Sequence, residues 1–395
     1  MDIEKNHKRE VLILGVGMTP VAEHWDRSIR EIALEAVAAA RSEAPDIQPQ
    51  AVYVANMLSA ALSGQTQLGA LLSDFAGLHG IEAMTIEAAG ASGGAALRQA
   101  YLAIKSGMIH SALVIGVEKI TDRIGSQVDA ALATMTDADY EAIQGVTPTA
   151  QAALLMRRYL YDYNAPQDAL AGFSLNAHRN AVSNPYAMYR RAIKLEQYQN
   201  ASMVSDPLNM FDAAPIADGA AALLIIDADM LPRTSSAPLV RIAASTVATS
   251  AIALHDHPDP LVLSSAAVSV QEAYQAANLG PDDIDFFELH DQFSILAALS
   301  LEAAGFASRG KGWQLAADGM IHRDGDIPIC TFGGSKARGD AGGATGVIQV
   351  VEAVHQIRGL AGENQIQDAR VGMTQCLGGM GATSATHILT QYESP

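Results

Sequence analysis

The chain comprises 395 residues, 49% of them hydrophobic but only 5% aromatic, and carries a net charge of −18. That length exceeds one average domain, and the Ala- and Gly-rich composition predicts a soluble α/β protein able to bury a large core. The excess of carboxylates excludes nucleic acid and anionic membrane surfaces as main partners, because both reward clustered Lys and Arg.

The charged residues at 1–10 run into an apolar segment at 11–16, too short for a signal sequence or a membrane span, so a cytoplasmic location is expected. Residues 11–15 carry a buried-strand pattern, and residues 28–40 repeat apolar side chains at helical spacing with Glu31 and Glu35 on the other face. A strand at 52–55, a helix at 67–78, a strand at 84–88 entering Gly90, a helix at 95–105 and a strand at 112–117 follow. This alternation predicts a layered fold with mostly parallel strands and buried helices. Residues 122–215 break the rhythm, being richer in Tyr, Asn and Arg with turn signals at 164–166 and 184–185, and read as an inserted cap. Clustered basic residues gather there: Arg157, Arg158, Arg179, Arg190, Arg191 and Lys194. They are either ordinary helix surface or, against so acidic a background, contacts for an anion. A core strand resumes at 220–226, and Ser236-Ala237-Pro238 marks a crossover that divides the chain into 1–235 and 236–395. A strand at 240–244, a helix at 266–277 and a strand at 284–289 then restate the order of the first half.

The repetition is visible in the residues themselves. Residues 90–108 read G-A-S-G-G-A-A-L-R-Q-A-Y-L-A-I-K-S-G-M, and residues 339–359 read G-D-A-G-G-A-T-G-V-I-Q-V-V-E-A-V-H-Q-I-R-G. Gly93-Gly94 and Gly342-Gly343 align at an offset of 249 residues (342 − 93), as do the leading glycines. Each copy sets small residues where a tight turn opens a helix, whose first N–H groups lack intrahelical partners and can hold an anion or oxyanion. Small residues also let two helices pack closely, so both readings stand. The only cysteines, Cys330 and Cys376, show no C-x-x-C spacing, so neither a disulfide framework nor a metal site is predicted and a reducing compartment fits.

Four segments, taken together, resemble the thiolase superfamily, in the branch of sterol-carrier-protein thiolases and archaeal acetyl-CoA acetyltransferases. They are E-A-A-G-A-S-G-G-A-A at 87–96, H-D-Q-F-S at 290–294, G-G-S-K-A-R-G-D-A-G-G-A-T-G at 333–346 and C-L-G-G-M-G at 376–381. G-V-G-M-T-P at 15–20, H-R-N-A-V-S-N-P at 178–185 and P-I-A-D-G-A-A-A at 215–222 support them. The resemblance implies a five-layer αβαβα fold of two duplicated halves, with an inserted loop domain over the pantetheine arm of coenzyme A. It implies an acyl-CoA thioester as substrate, no permanently bound cofactor, a homodimer or higher oligomer, and a zinc-ribbon OB-fold protein as a partner.

In that family a cysteine in the first glycine-rich turn takes the acyl group, activated by the histidine of a G-H-P motif in the second. Here those positions are Gly90 and Asp340, the latter followed by Ala341. Glycine cannot form an acyl-enzyme. Ser92 is the only nucleophilic atom left in the turn, and without a histidine at 340 it stays weak, so its expected place is in substrate binding. By resemblance His290 donates to the thioester oxygen and stabilises an enolate. Cys376 is either base or acid at Cα, if nearby N–H dipoles lower its pKa, or a buried small hydrophobe. Asp340 either caps the helix expected at 343–351 or accepts the proton of a β-hydroxyl group. Gly378 and Gly379 are expected to offer backbone N–H groups to an oxyanion, Phe293, Arg157 and Arg191 to contact substrate, and Cys330 to pack. The expected activity is making or breaking a carbon–carbon bond through an enolate thioester, of retro-aldol or aldol type, with no acyl-cysteine. A non-catalytic acyl-CoA-binding subunit of a thiolase-like complex and an acetyl-CoA acetyltransferase with an atypical site are the alternatives.

Overall fold

The structure is a computed structural model that describes residues 9–231 and 238–393. The charged segment before residue 9 and the crossover signal at 236–237 lie outside the described residues. The chain runs through β1 (Val11–Met18), α1 (Ile29–Ser42), β2 (Ala51–Ala55), α2 (Leu68–Phe75), β3 (Glu82–Ile86), α3 (Ser92–Lys105) and β4 (Ser111–Glu118). The insertion holds α4 (Ser126–Ala133), α5 (Pro148–Asp162), α6 (Ala171–Ala181), α7 (Leu195–Gln199), β5 (Met203–Ser205) and β6 (Leu208–Asn209). Then follow β7 (Gly219–Asp227), β8 (Leu239–Thr249), α8 (Ser264–Ala277), β9 (Phe286–Glu288), α9 (Ser294–Ala303), α10 (Gly312–Ala317), α11 (Thr345–Ile357), β10 (Val371–Gly378) and β11 (Thr383–Tyr392).

Local signals explain the element starts. Ser28 caps α1, its hydroxyl accepting the Glu31 N–H while the Glu31 carboxylate accepts the Ser28 N–H at 2.7 Å. This reciprocal box satisfies two donors that a helix end leaves over. Thr147 caps α5 with a single bond, its hydroxyl accepting the Ala150 N–H, and Pro148 is the first helical residue.

The duplication appears as a repeated strand order. The first half runs β3-β2-β4-β7-β1 across the sheet, and the second runs β9-β10-β11-β8, joined to the first by β1 and β8. A parallel bridge from Ile329 to Phe287 stands at the outer edge of β9, where the first half has β3. The strands are not mostly parallel, however. Only β2 with β3, β2 with β4, and β9 with β10 run parallel, while β7 lies antiparallel to both β4 and β1, and β11 to both β10 and β8. The reason is connectivity: β11 returns by a hairpin from β10 and β7 returns through the insertion, and neither connection is a right-handed helical crossover.

Helices α1 and α2 cover one outer face, and α8 covers the other with α9 packed upon it. Helices α3 and α11 form the middle layer, each touching strands of both halves as well as the other helix. Five layers result. The middle core joins Ala96, Leu97 and Ala100 of α3 to Val347, Ile348 and Val351 of α11, all fully buried. The two helices meet where neither has a side chain: a Cβ on Gly93 would lie 2.6 Å from Val347 N, and one on Gly346 would lie 2.7 Å from Gly94 N. The insertion docks on the second half, with α5 and α6 against α9, and α6 also lies against the turn at Gly334–Arg338.

Because a Cβ on Gly346 would meet the Gly93–Gly94 main chain as well as Cys376 Sγ, Gly346→Ala should lower stability by about 1–3 kcal/mol through overpacking, measured by chemical denaturation. A neutral result would show that the central helices have slack.

Candidate active site

The site is assembled where the first glycine-rich turn, the chain beyond β9 and the end of β10 converge. His290 follows β9 and is 1% exposed. The Leu377 N–H of β10 donates to its Nδ1 at 2.9 Å. An imidazole nitrogen that accepts carries no proton, so in the neutral ring the proton sits on Nε2. Burial holds the His290 pKa below its ordinary value, although the Asp340 and Asp291 carboxylates oppose that shift. The Nε2–H finds no partner among the described residues. A neutral histidine therefore presents one buried, unspent donor.

That donor stands beside Gly90. A Cβ on Gly90 would lie 2.7 Å from His290 Cε1, 3.6 Å from Nε2 and 2.5 Å from the Leu377 carbonyl oxygen. The ring and the β10 backbone close over the glycine, and no larger residue fits without moving main chain. Gly378 completes the closure from the same strand, since a Cβ there would lie 2.5 Å from the Ala88 carbonyl oxygen. Gly379 turns the β10–β11 hairpin in the left-handed region, at φ +57°.

Asp340 opens the second glycine-rich turn and lines a cavity of about 70 Å³ with Phe293, Gln292, Gly342 and Met57. Its Oδ1 accepts from Gly342 N–H at 3.2 Å and from Thr345 Oγ1 at 2.9 Å, so the capping role is present. Its backbone bonds to both sides of the segment at 215–217, through Pro215 O and Ala217 N. The other face of that segment borders a second cavity, of about 470 Å³. Ala213 and Ala214 line both cavities. Tyr189, Ile193, Met210 and Phe211 make the larger one largely apolar, and its basic lining is His178, Arg191 and Lys336, with no carboxylate.

Several expectations are corrected. Four of the turn N–H groups are spent within the chain: Ala91 and Ser92 donate to the Ala88 and Ala89 carbonyls, Gly342 to Asp340 and Gly343 to Glu118. Ser92 does not contact substrate space, because its buried hydroxyl donates to Ala89 O and accepts from Ala88 N, locking the turn. Cys376 is no low-pKa base. Its thiol sits between Ala91 O and the glycines of the middle layer, and burial pushes it up to about 12. Arg157 is paired with Asp206 on the surface and lines neither cavity beside Asp340. Cys330 packs, buried, with its thiol toward Leu289 O. Phe293 and Arg191 do line the two cavities. Sequence reading missed Glu118 and Lys336. The one signal for Glu118 was a carboxylate closing the otherwise apolar run V-I-G-V-E at 114–118.

Comparison with known proteins follows the geometry. The profile described as "Thiolase, N-terminal domain" matches residues 11–229, and the one described as "Thiolase C-terminal domain-like" matches residues 246–391. The acetyl-CoA acetyltransferase of Methanothermobacter thermautotrophicus is 41% identical over 387 residues, which is 97% of this chain and 100% of that protein. The chain belongs to the thiolase family. A second acetyl-CoA acetyltransferase, from Methanocaldococcus jannaschii, is 36% identical over 97% of this chain and 99% of its own length. Among solved structures, a chain of the Ltp2-ChsH2(DUF35) aldolase superposes with a TM-score of 0.84 at 23% identity, covering 98% of this chain and 99% of that one. That likeness extends the fold assignment. Among the described residues, no three His, Cys, Asp or Glu are grouped to hold a metal ion, and no helix is long and apolar enough to cross a membrane.

Two outcomes follow for this thiolase-family chain. Gly90→Cys should lower stability by about 1–3 kcal/mol, because the new side chain meets the Leu377 carbonyl and His290, and urea titration would measure it. Neither Cys330 nor Cys376 should be alkylated by iodoacetamide at mildly alkaline pH in the native protein, while both should react once unfolded, as mass spectrometry would report.

Proposed function

We propose that the protein cleaves or forms a carbon–carbon bond in an acyl-CoA thioester by retro-aldol or aldol chemistry, through an enolate and without an acyl-cysteine. The observation that carries this reading is the unspent Nε2–H of neutral His290 against a glycine that has no room for a nucleophile. A thioester carbonyl oxygen placed on that donor gains negative charge as an enolate forms, and a preorganised donor in a buried site stabilises it by about 3–4 kcal/mol. Removing the nucleophile while keeping the donor disables acyl transfer and leaves enolate chemistry intact.

In the cleavage direction the substrate is a 3-hydroxyacyl-CoA. Asp340, the carboxylate in the small cavity, takes the proton of the 3-hydroxyl group as the C2–C3 bond breaks. The bond's electron pair passes to C2, giving the enolate whose oxygen rests on His290. C3 departs as an aldehyde or ketone. Asp340 then returns the proton to C2, which leaves a shortened acyl-CoA. Phe293 walls the reacting end. The larger cavity takes the coenzyme A arm, its apolar lining suiting pantetheine and Arg191 and Lys336 suiting phosphate oxygens.

The two-component name Ltp2-ChsH2(DUF35) supports a partner protein here, and we take it to be of the zinc-ribbon OB-fold type, with the chain itself at least a homodimer. Incubation with 3-hydroxyacyl-CoA substrates, alone and with such a partner, should release a carbonyl product. His290→Ala should reduce that release by about 10²-fold or more while the protein stays folded. Unchanged activity of the complex carrying that variant would make the chain a non-catalytic subunit instead, and an acylated protein trapped by mass spectrometry would restore acyl transfer.

A further inference from the structure

Glu118 is fully buried at the end of β4 and lies outside the acid–base set just proposed. One carboxylate there accepts four donors from two separate parts of the chain. Oε1 accepts Asn56 Nδ2 at 2.8 Å and Leu58 N–H at 3.1 Å, and Oε2 accepts Met57 N–H at 2.9 Å and Gly343 N–H at 3.0 Å. Met57 and Gly342, on those two segments, both line the small cavity, and a Cβ on Gly342 would lie 3.3 Å from Met57 Sδ. Asp340 holds Gly342 N–H and Glu118 holds Gly343 N–H, so two carboxylates grip successive amides of one turn.

We propose that Glu118 is a positioning residue that fixes the walls of the Asp340 cavity by clamping the chain at 56–58 to the second glycine-rich turn. The clamp is electrostatic as well as geometric. No cation pairs with Glu118 among the described ion pairs: Lys119, the next residue, turns to Asp122 and Asp218, and the nearest titratable group on the clamped turn is Asp340. The charge is held by amide dipoles and by the N-terminal end of the 342–357 helical segment alone. Both alternatives to the carboxylate remove acceptor capacity. A protonated carboxyl has one oxygen that must donate, and a glutamine side chain turns an NH₂ toward donors.

The clamp consequently responds to pH. Burial raises the Glu118 pKa to about 7 against the four donors that lower it. A raised carboxyl favours the proton in the folded state, so its contribution to overall stability is present below the unfolded value and is lost as pH rises through about 7. The four-donor grip has the opposite sense and is complete only above that value.

Hydrogen exchange of the wild-type protein, corrected for intrinsic rates, tests this without turnover, so its outcome is separate from that of the aldol reading. Amides of 57–58 and of 343 should lose protection together, by about tenfold, as pH falls through about 7. Glu118→Gln should show the loosened exchange at both segments at every pH, with an unchanged circular dichroism spectrum, and Glu118→Asp should restore part of the protection. Protection that is flat across this range, or two segments that exchange independently in the wild type, would overturn the proposal, and so would full protection in Glu118→Gln. The wild-type series decides the matter even if the variants fail to fold.

Discussion

The architecture depends on a contact between two helices that have no side chains where they cross. Gly93 and Gly94 on α3 meet Gly346 on α11 at distances that admit only hydrogen atoms between main chains. Helices with larger residues would stand about 8–10 Å apart, axis to axis, and push the sheet halves away from each other. Close approach places the turns that precede both helices within one site. Gly90 then faces the chain after β9, and Asp340 faces the segment at 215–217.

Packing of that density leaves little tolerance for unpaired polar groups, and the site uses several of its own donors internally. In the two glycine-rich turns the N–H groups of Ala91, Ser92, Gly342 and Gly343 are taken by carbonyls or carboxylates of the same chain. Ser92, Asp291 and Thr345 are likewise occupied, with Asp291 accepting the Ser335 N–H. The Nε2–H of His290 is one of several buried polar atoms without a partner among the described residues, Ser335 Oγ and His387 Nε2 included, and its place beside Gly90 gives it chemical meaning. A low-dielectric, water-excluded setting strengthens such a donor toward an oxygen that gains charge.

How much of this the sequence disclosed depended on the range of the interaction. The 28–40 helix, the insertion and the two glycine-rich turns were legible because each rests on neighbours a few residues apart, such as Ser28 with Glu31. Strand direction was not, since apolar patterning is the same for a strand running either way; the hairpin into β11 and the long return into β7 set it. Cys376 shows the same limit within one motif. Alternate residues of a strand face opposite sides, so the thiol at 376 enters the middle layer against Gly94 while the Leu377 backbone serves His290 and Gly90. A motif read as a string does not say which of its residues faces the site. Glu118 joins segments 61 and 225 residues away in sequence, and the apolar run it closes does not say which segments those are.

From sequence alone came the family, the duplicated α/β plan, the glycine at position 90 and the nomination of His290 and Asp340, all of which are properties of residue identity and order. Tertiary structure decided the rest: which nitrogen of His290 carries the proton, that Cys376, Ser92 and Arg157 are otherwise engaged, and that Glu118 ties two cavity walls together. Protonation state, burial and hydrogen-bond partner are properties of an environment, and that environment exists only once distant segments have been brought into contact.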